Sequence, residues 1–368
     1  MAKKPFFSIV IVTYNRAEDL QFTLYCVLSQ SFSDFEIIIS DNCSTDNTQD
    51  LFNSIKDKRI RYFRNKTTVN LASNIQYGIK HAKGQYVFLH GDDDFLLYSD
   101  SLKKIHEEIM EYKPGYIRLN YFSLAIDKKH LFSYRVHKPF KKNEYRPPFL
   151  ENKDVMSFIV DSDNYFITGI IFRNTLPRNI KIIDTDPASW IEILFYTAKN
   201  FGAYFIAQPH IVACWSRREM IENAEHHFYT LKNGKLMSEN YFEAVKEKLH
   251  TQDYNAFLHR ELIIMYVHLF PAIKVVAGNK KMHHINARMC ELDPTMTKSI
   301  TYWIYFIPAL IAPRSVLAIF KEVYLYWYAR FTKIDNNKEV IKRLKALESR
   351  YLKSSENVFK RKEALFNF

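Results

Sequence analysis

Phe6-Phe-Ser-Ile-Val-Ile-Val12 runs directly into Thr13-Tyr-Asn-Arg16, and this join decides the fold. The first seven residues carry no charge, and four of them in a row are β-branched. Such a run reads as a strand buried on both faces, as a parallel sheet requires. The polar tetrapeptide ends it, and Leu20, Leu24, Val27 and Leu28 then recur at helical spacing. The same pattern repeats downstream. Phe35-Glu-Ile-Ile-Ile-Ser40 reads as a second strand, ended by Asp41-Asn-Cys-Ser-Thr-Asp46 and followed by a helix from about Thr48 to Ile55. Ile60 to Phe63 is a short third strand, and Asn70 to Ala82 a helix closed by Gly84. Tyr86-Val-Phe-Leu89 is a fourth strand and ends in His90-Gly-Asp-Asp-Asp94. This alternation predicts a doubly wound α/β layer with right-handed crossovers. Ligands of such sheets sit at the carboxyl ends of the strands. All three polar clusters, Thr13–Arg16, Asp41–Asp46 and Gly91–Asp94, fall at such ends.

From about Tyr116 the pattern loosens. Residues 128–146 hold seven Lys or Arg side chains and read as a basic loop or hairpin ending at Pro147-Pro148. Helices are expected at 152–161 and 188–200, and late strands at Tyr204–Ala207 and His210–Cys214. Beyond about 220 strand signals stop, and residues 236–270 have amphipathic helical spacing. The expected organisation is therefore an α/β domain over 1–220 and a mostly helical region over 221–368, membrane-associating or oligomerising.

The chain of 368 residues has 52 Lys and Arg against 40 Asp and Glu, a net charge of +12. That balance points to an anionic partner. Nucleic acid is set aside, because no helix-turn-helix, RNA-binding or zinc pattern accompanies the charge. The four cysteines, Cys26, Cys43, Cys214 and Cys290, have no zinc-site spacing, and unpaired thiols suit a reducing cytoplasm. Met1-Ala-Lys-Lys-Pro5 leads straight to the first strand and shows no signal-peptide pattern. The 29 Phe and 24 Tyr against 8 Gly indicate a solid helical or α/β body.

Asp92, Asp93 and Asp94 repel one another, and a divalent cation would relieve that repulsion. Mg²⁺ and Mn²⁺ take oxygen ligands and are often held by one or two carboxylates plus substrate phosphates. The competing reading is a solvated acidic turn ahead of a helix near Ser99. The surrounding motifs separate the two. Ser8–Arg16, Phe35–Asp46, Asn70-Leu-Ala-Ser-Asn74, Lys83–Leu89 and Asp92–Asp94, in this order and spacing, resemble the inverting glycosyltransferase family 2 and its GT-A fold. The resemblance covers about residues 6–100. It implies a sugar transfer from a nucleotide-sugar, by default UDP-linked. Thr13, Tyr14, Asn15 and Arg16 would line the nucleotide pocket, and Asp41 would meet the base, its alternative being an Asx turn. Asn74 and Asp93 would help hold the donor. Asp92 and Asp94 would be the two acids of the metal motif, with Mn²⁺ or Mg²⁺ as cofactor. A sugar nucleotidyltransferase fits less well, since no Gly-rich loop follows the first strand, and a catalytically silent relative is the other alternative.

Inversion requires a base for the acceptor hydroxyl. The family's Glu-Asp pair is missing where the resemblance places it. Asp186 in Ile183-Asp-Thr-Asp-Pro187 is the first candidate, Asp184 the second and Glu192 the third. Asp186 ahead of Pro187 also reads as a helix cap, and Trp190 reads as core or as acceptor pocket. His226-His227 and His283-His284 read as surface pairs.

Residues 299–313 carry no charge, are too short to span a bilayer and contain Pro308 and Pro313. Residues 314–331 read as an aromatic-rich helix, and 331–368 hold ten Lys or Arg against five Asp or Glu. Aromatic plus basic is the pattern of an interfacial helix on an anionic membrane, and the alternative is a packed helix with a solvated tail. The expected location is cytoplasmic, peripheral at the inner face of the membrane, with a glycan or lipid-linked acceptor.

Overall fold

The computed structural model describes residues 4–127, 130–136, 140–162, 164–177, 179–180, 182–184, 188–216, 231 and 233–319. Strand β1 (Phe7–Thr13) lies between β2 (Phe35–Asp41) and β4 (Tyr86–Gly91) and runs parallel to both. Thr13 pairs with Asp41 and Val12 with Gly91, so the register brings three strand ends to one level. β3 (Ile60–Arg64) extends this edge, with Arg64 opposite Asp41. Every residue of β2 and β4 is buried, which accounts for their unbroken apolar runs.

Alternate residues of these strands feed two separate cores. Ile9, Ile11, Ile37 and Ile39 pack with Leu20, Leu24 and Val27 of α1 (Ala17–Leu28) and with Leu102, Ile105 and Ile109 of α4 (Ser101–Tyr112). Val10, Ile38, Val87 and Leu89 pack on the other face with Ile75 of α3 (Leu71–His81). Helices on both faces make the doubly wound arrangement that the alternation predicts. Gly78 allows α3 to come close: a Cβ there would stand 2.6 Å from Val10 Cγ1.

Past β4 the sheet becomes mixed. β9 (Ile170–Arg173) inserts antiparallel between β4 and β6 (Tyr116–Asp127), and β10 (Ala203–Ser216) lies parallel to β6. The strand order is β3-β2-β1-β4-β9-β6-β10-β5, with β5 at Phe95–Leu96. The two late strands of the sequence reading are one strand, with an irregularity between Ile206 and Ile211. Within the basic segment, β7 (His130–Val136) forms a hairpin arm on β6, and β8 (Glu144–Arg146) pairs with β10. Helix α5 (Asn152–Asp161) and helix α6 (Ile191–Phe201) fall where their spacing predicts.

The later part is helical: α7 (Glu239–Lys246), α8 (Thr251–Met265), α9 (Phe270–Leu292) and α10 (Ile300–Ile311). Among the described residues, its buried apolar side chains join the core of the sheet. One cluster runs from Val10, Leu89 and Phe172 through Trp190 and Leu194 to Tyr241, Leu262, Phe270, Met289 and Tyr302. The boundary expected near 220 lies outside the described residues, and described residues on either side of it share this cluster. By length and composition the run Thr251–Leu292 is apolar enough to cross a membrane, but 44% of its apolar window is buried in the protein. It is also broken at Tyr266 and at Gly278, where φ is 85°.

Candidate active site

The loops after β1 and β2 are tied to each other. Asn15 has φ of 55°, a left-handed conformation that asparagine tolerates better than most residues. This turn lets its Oδ1 accept from the Thr45 N–H at 2.7 Å, while the Asn15 N–H donates to Ser44 Oγ at 2.9 Å. Tyr14, beside it, is 47% exposed, an aromatic face open above the strand ends. Thr13 is buried at the end of β1.

Asp41 is fully buried. Its Oδ1 accepts from the Ser44 N–H at 3.0 Å and the Ser44 hydroxyl at 2.5 Å. Its Oδ2 accepts from the Tyr62 hydroxyl and lies 3.4 Å from Arg64 Nε. Burial and the Asp41 charge push the Tyr62 phenol well above its ordinary value, so it stays a donor. Tyr62 and Arg64 come from β3, a strand to which the sequence reading assigned no role. Asn42 clamps the next loop, donating to Val69 O at 2.8 Å and accepting from Val69 N at 2.9 Å.

Asn74 departs from its expected role. It is buried, its Nδ2 donates to Ser40 O at 3.0 Å, and its Oδ1 accepts from Ser40 Oγ and Asn65 Nδ2, each at 2.8 Å. Its amide joins α3 to β2.

The three aspartates after β4 divide sharply. Asp93 stands at the mouth with 21% of its side chain exposed, hydrogen-bonded to the Arg16 guanidinium, which also lies 3.6 Å from Asp92 Oδ1. Asp92 is more enclosed. Burial, and then the Asp93 charge, push its carboxyl up to about 8 against the opposing pull of Arg16 and the Thr13 hydroxyl. Asp94, expected as one acid of the metal motif, points inward. Its Oδ1 accepts from the Cys214 N–H at 2.9 Å, and its Oδ2 accepts from the Thr168 hydroxyl. Burial, and then the Asp93 charge, hold its carboxyl well above the usual range. Thr168 also accepts from the Gly91 N–H at 2.8 Å, and buried Arg118 donates to the Thr168 carbonyl at 2.5 Å. A Cβ at Gly91 would stand 2.6 Å from Asp94 Oδ2 and 3.2 Å from Asp93 Oδ1, so the turn requires glycine. Buried His90, held neutral by desolvation with its pKa lowered to about 4, adds no cation beneath the cluster.

Asp92 and Asp93 are thus the carboxylates nearest the opening. Among the described residues no three His, Cys, Asp or Glu side chains converge on a metal site. Two adjacent oxygen donors with raised electrostatic cost fit a hard dication that completes its shell with phosphate and water.

Of the three base candidates, two lie among the described residues. Asp186 lies outside the described residues, as do His226 and His227. Asp184 is exposed, and its carbonyl accepts from Asn240 Nδ2 at 2.8 Å. Glu192 pairs with Lys248 at 2.8 Å and lines a groove with Ile183, Tyr196, Asn240 and Glu247. Trp190 is core, its Nε1 donating to Asn164 O at 2.8 Å. His283 and His284 are exposed on α9.

Residues 8–162 match the model of glycosyl transferase family 2. Over 206 residues the chain is 33% identical to the putative teichuronic acid biosynthesis glycosyltransferase TuaG of Bacillus subtilis, covering 55% of this chain and 75% of that protein. Over 99 residues it is 36% identical to the UDP-Glc:alpha-D-GlcNAc-diphosphoundecaprenol beta-1,3-glucosyltransferase WfaP of Escherichia coli, covering 27% of this chain and 39% of that protein. The match thus spans well under half of the second relative. Among solved structures, S. aureus TarS 1–349 in complex with UDP-GlcNAc superimposes with a TM-score of 0.54 at 15% identity, over 86% of this chain and 92% of TarS 1–349. That likeness is one of fold. A mixed sheet with helices on both faces and acidic side chains at its carboxyl edge defines a GT-A layer. The chain belongs to glycosyltransferase family 2.

Proposed function

We propose that this chain transfers a sugar from a UDP-sugar, with inversion, to a lipid-linked glycan acceptor in bacterial surface polysaccharide synthesis, using Mn²⁺ or Mg²⁺. The observation that carries this is the convergence of Tyr14, Arg16, Asp92 and Asp93 at the level ends of β1 and β4 in a family 2 chain. The donor and acceptor classes are supported by relatives. WfaP carries UDP-Glc and a diphosphoundecaprenol acceptor in its name, and TarS was crystallised with UDP-GlcNAc.

Asp92 and Asp93 would hold the cation, which when bound neutralises the diphosphate leaving group. Arg16 is their counter-ion, and a cation that neutralised the carboxylates would let its guanidinium also meet the diphosphate. Tyr14 offers its open ring to the base, and the Asn15–Ser44–Thr45 ties keep that loop in place. Asp41, with Tyr62 and Arg64, forms the charged floor of the base pocket. Asp186, with Asp184 second, would take the acceptor proton. That assignment is favoured because Glu192 is neutralised by Lys248.

The deciding experiment is calorimetric titration of UDP-sugars into the wild type and Asp93→Asn, with Mn²⁺ and with EDTA. Metal-dependent binding lost in the variant is expected. Equal binding in EDTA would remove the metal from the proposal, and no binding of any nucleotide-sugar would remove the donor.

A further inference from the structure

We propose that the outer face of α10 docks this protein on the surface of an anionic lipid bilayer. The helix has two apolar faces. Tyr302, Phe306 and Ala309 are buried, with both rings against Phe270 of α9. On the other side Ile300, Trp303, Ile304, Ile307, Leu310 and Ile311 are all exposed, Ile300 at 77%, Ile304 at 59% and Ile311 at 73%. Val316 and Ile319 extend the exposed set past Pro313. A helix on a water-facing surface carries polar residues outward. Scattered apolar side chains are ordinary, but a contiguous row marks an interaction surface.

The row is built to be presented. Lys274 of α9 donates to Leu310 O at 3.2 Å and Ala312 O at 2.8 Å, satisfying carbonyls at the end of the helix. The Trp303 indole N–H is spent on Thr297 O at 2.8 Å, which leaves its ring as apolar surface. Packing on α9 fixes which side faces out.

The occupant follows from length and charge. Twelve helical residues span roughly 18 Å, short of a hydrocarbon core of about 30 Å, so the helix lies in the interface and does not cross it. Residues 299–313 carry no charge, while exposed Lys298 and Arg314 bracket them and exposed Lys280 and Lys281 stand on the adjoining α9. The sequence after the described residues, 320–368, adds twelve Lys or Arg against six Asp or Glu. A second copy is a poor occupant, because pairing two such helices in either direction sets cation against cation at their ends. Anionic headgroups complement the same charges. The inference stands on this face alone and not on the donor site.

The test is co-sedimentation of the full chain with vesicles of phosphatidylcholine alone or mixed with phosphatidylglycerol. UDP-sugar binding is measured on the same samples. The wild type is expected to pellet with the anionic vesicles and to be released by salt. Ile304→Asp/Ile307→Asp is expected to lower partitioning at least ~10-fold with nucleotide binding retained. Ile311→Asp, at the exposed end, tests the same face if the double variant does not fold. Wild type left in the supernatant, a variant that pellets like wild type, or equal binding to neutral vesicles would overturn the proposal. So would a wild-type dimer that these substitutions dissociate without vesicle binding. Wild type that binds UDP-sugar but not the anionic vesicles counts against this inference only, and wild type that binds those vesicles but no UDP-sugar counts against the transferase reading only.

Discussion

The Thr168 hydroxyl donates to Asp94 Oδ2, joining the last residue of an acidic turn to a loop 74 positions later. Through the same oxygen Thr168 accepts from the Gly91 N–H, so one side chain holds both ends of the turn that presents Asp92 and Asp93. Thr168→Val keeps the volume and removes both contacts. Leaving a buried carboxyl short of a partner costs about 1–3 kcal/mol. Urea unfolding should show that loss, Thr168→Ser should restore most of it, and donor affinity should fall with it. A Val variant as stable as wild type would remove Thr168 from this role.

Asp93 and Asp94 should respond oppositely to amidation. Asp93→Asn leaves the interior untouched and is expected to keep the unfolding midpoint while weakening Mn²⁺-dependent UDP-sugar binding at least ~10-fold. Asp94→Asn can keep the Cys214 contact only by facing its amide N–H to the Thr168 hydroxyl, which must then accept and loses its own acceptor, so its main effect is a stability loss of about 1–3 kcal/mol. If Asp94→Asn lost metal-dependent binding with no loss of stability, Asp94 would return to the metal.

Glu261 on α8 gives the protein a pH-dependent stability unconnected with catalysis. It is fully buried, neither oxygen has a hydrogen-bond partner among the described residues, and burial followed by the Asp161 charge pushes its carboxyl up to about 8. Asp161 is itself paired with Arg260 at 2.6 Å. The folded value lies above the unfolded one, so between about 4.5 and 8 the folded state binds the extra proton. Stability is therefore fully present below the unfolded value and is lost as pH rises through the folded one. Glu261→Gln should reduce the slope of unfolding free energy against pH in that window by about 1.4 kcal/mol per pH unit. Denaturation series at pH 5, 6, 7 and 8 check this, and parallel curves for the two proteins would refute it.

The base assignment separates by kinetics. Glu192→Gln should leave kcat within about threefold, since its carboxylate serves Lys248. Asp186→Asn should lower kcat by about 10²–10⁴ and abolish the acid limb of the pH profile. A loss of that limb in Asp184→Asn instead would move the role two residues back.

The parallel half of the sheet was legible because burial on both faces writes an unbroken apolar run, as in 6–12, 35–40 and 86–89. The placement of the polar loops at one edge followed from that. The antiparallel insertion of β9 was not legible, since a four-residue strand with three buried residues beside β4 looks the same in either direction. Tyr62, Arg64 and Thr168 carried no signal, because each acts through a partner distant in sequence.

Sequence alone thus determined the family, the strand-end location of the site and its residue types, all of which are written in local pattern and order. Tertiary structure decided which carboxylates face outward. Asp92, Asp93 and Asp94 are chemically identical neighbours, and only the arrival of Thr168 and Cys214 turns Asp94 inward. It likewise turned Asn74 into a tie between α3 and β2, Glu192 into a partner of Lys248, and the uncharged stretch 300–311 into a helix with one face buried and one open. A side chain's role depends on which of its polar atoms are already satisfied, and those partners come from chain segments that only folding brings together.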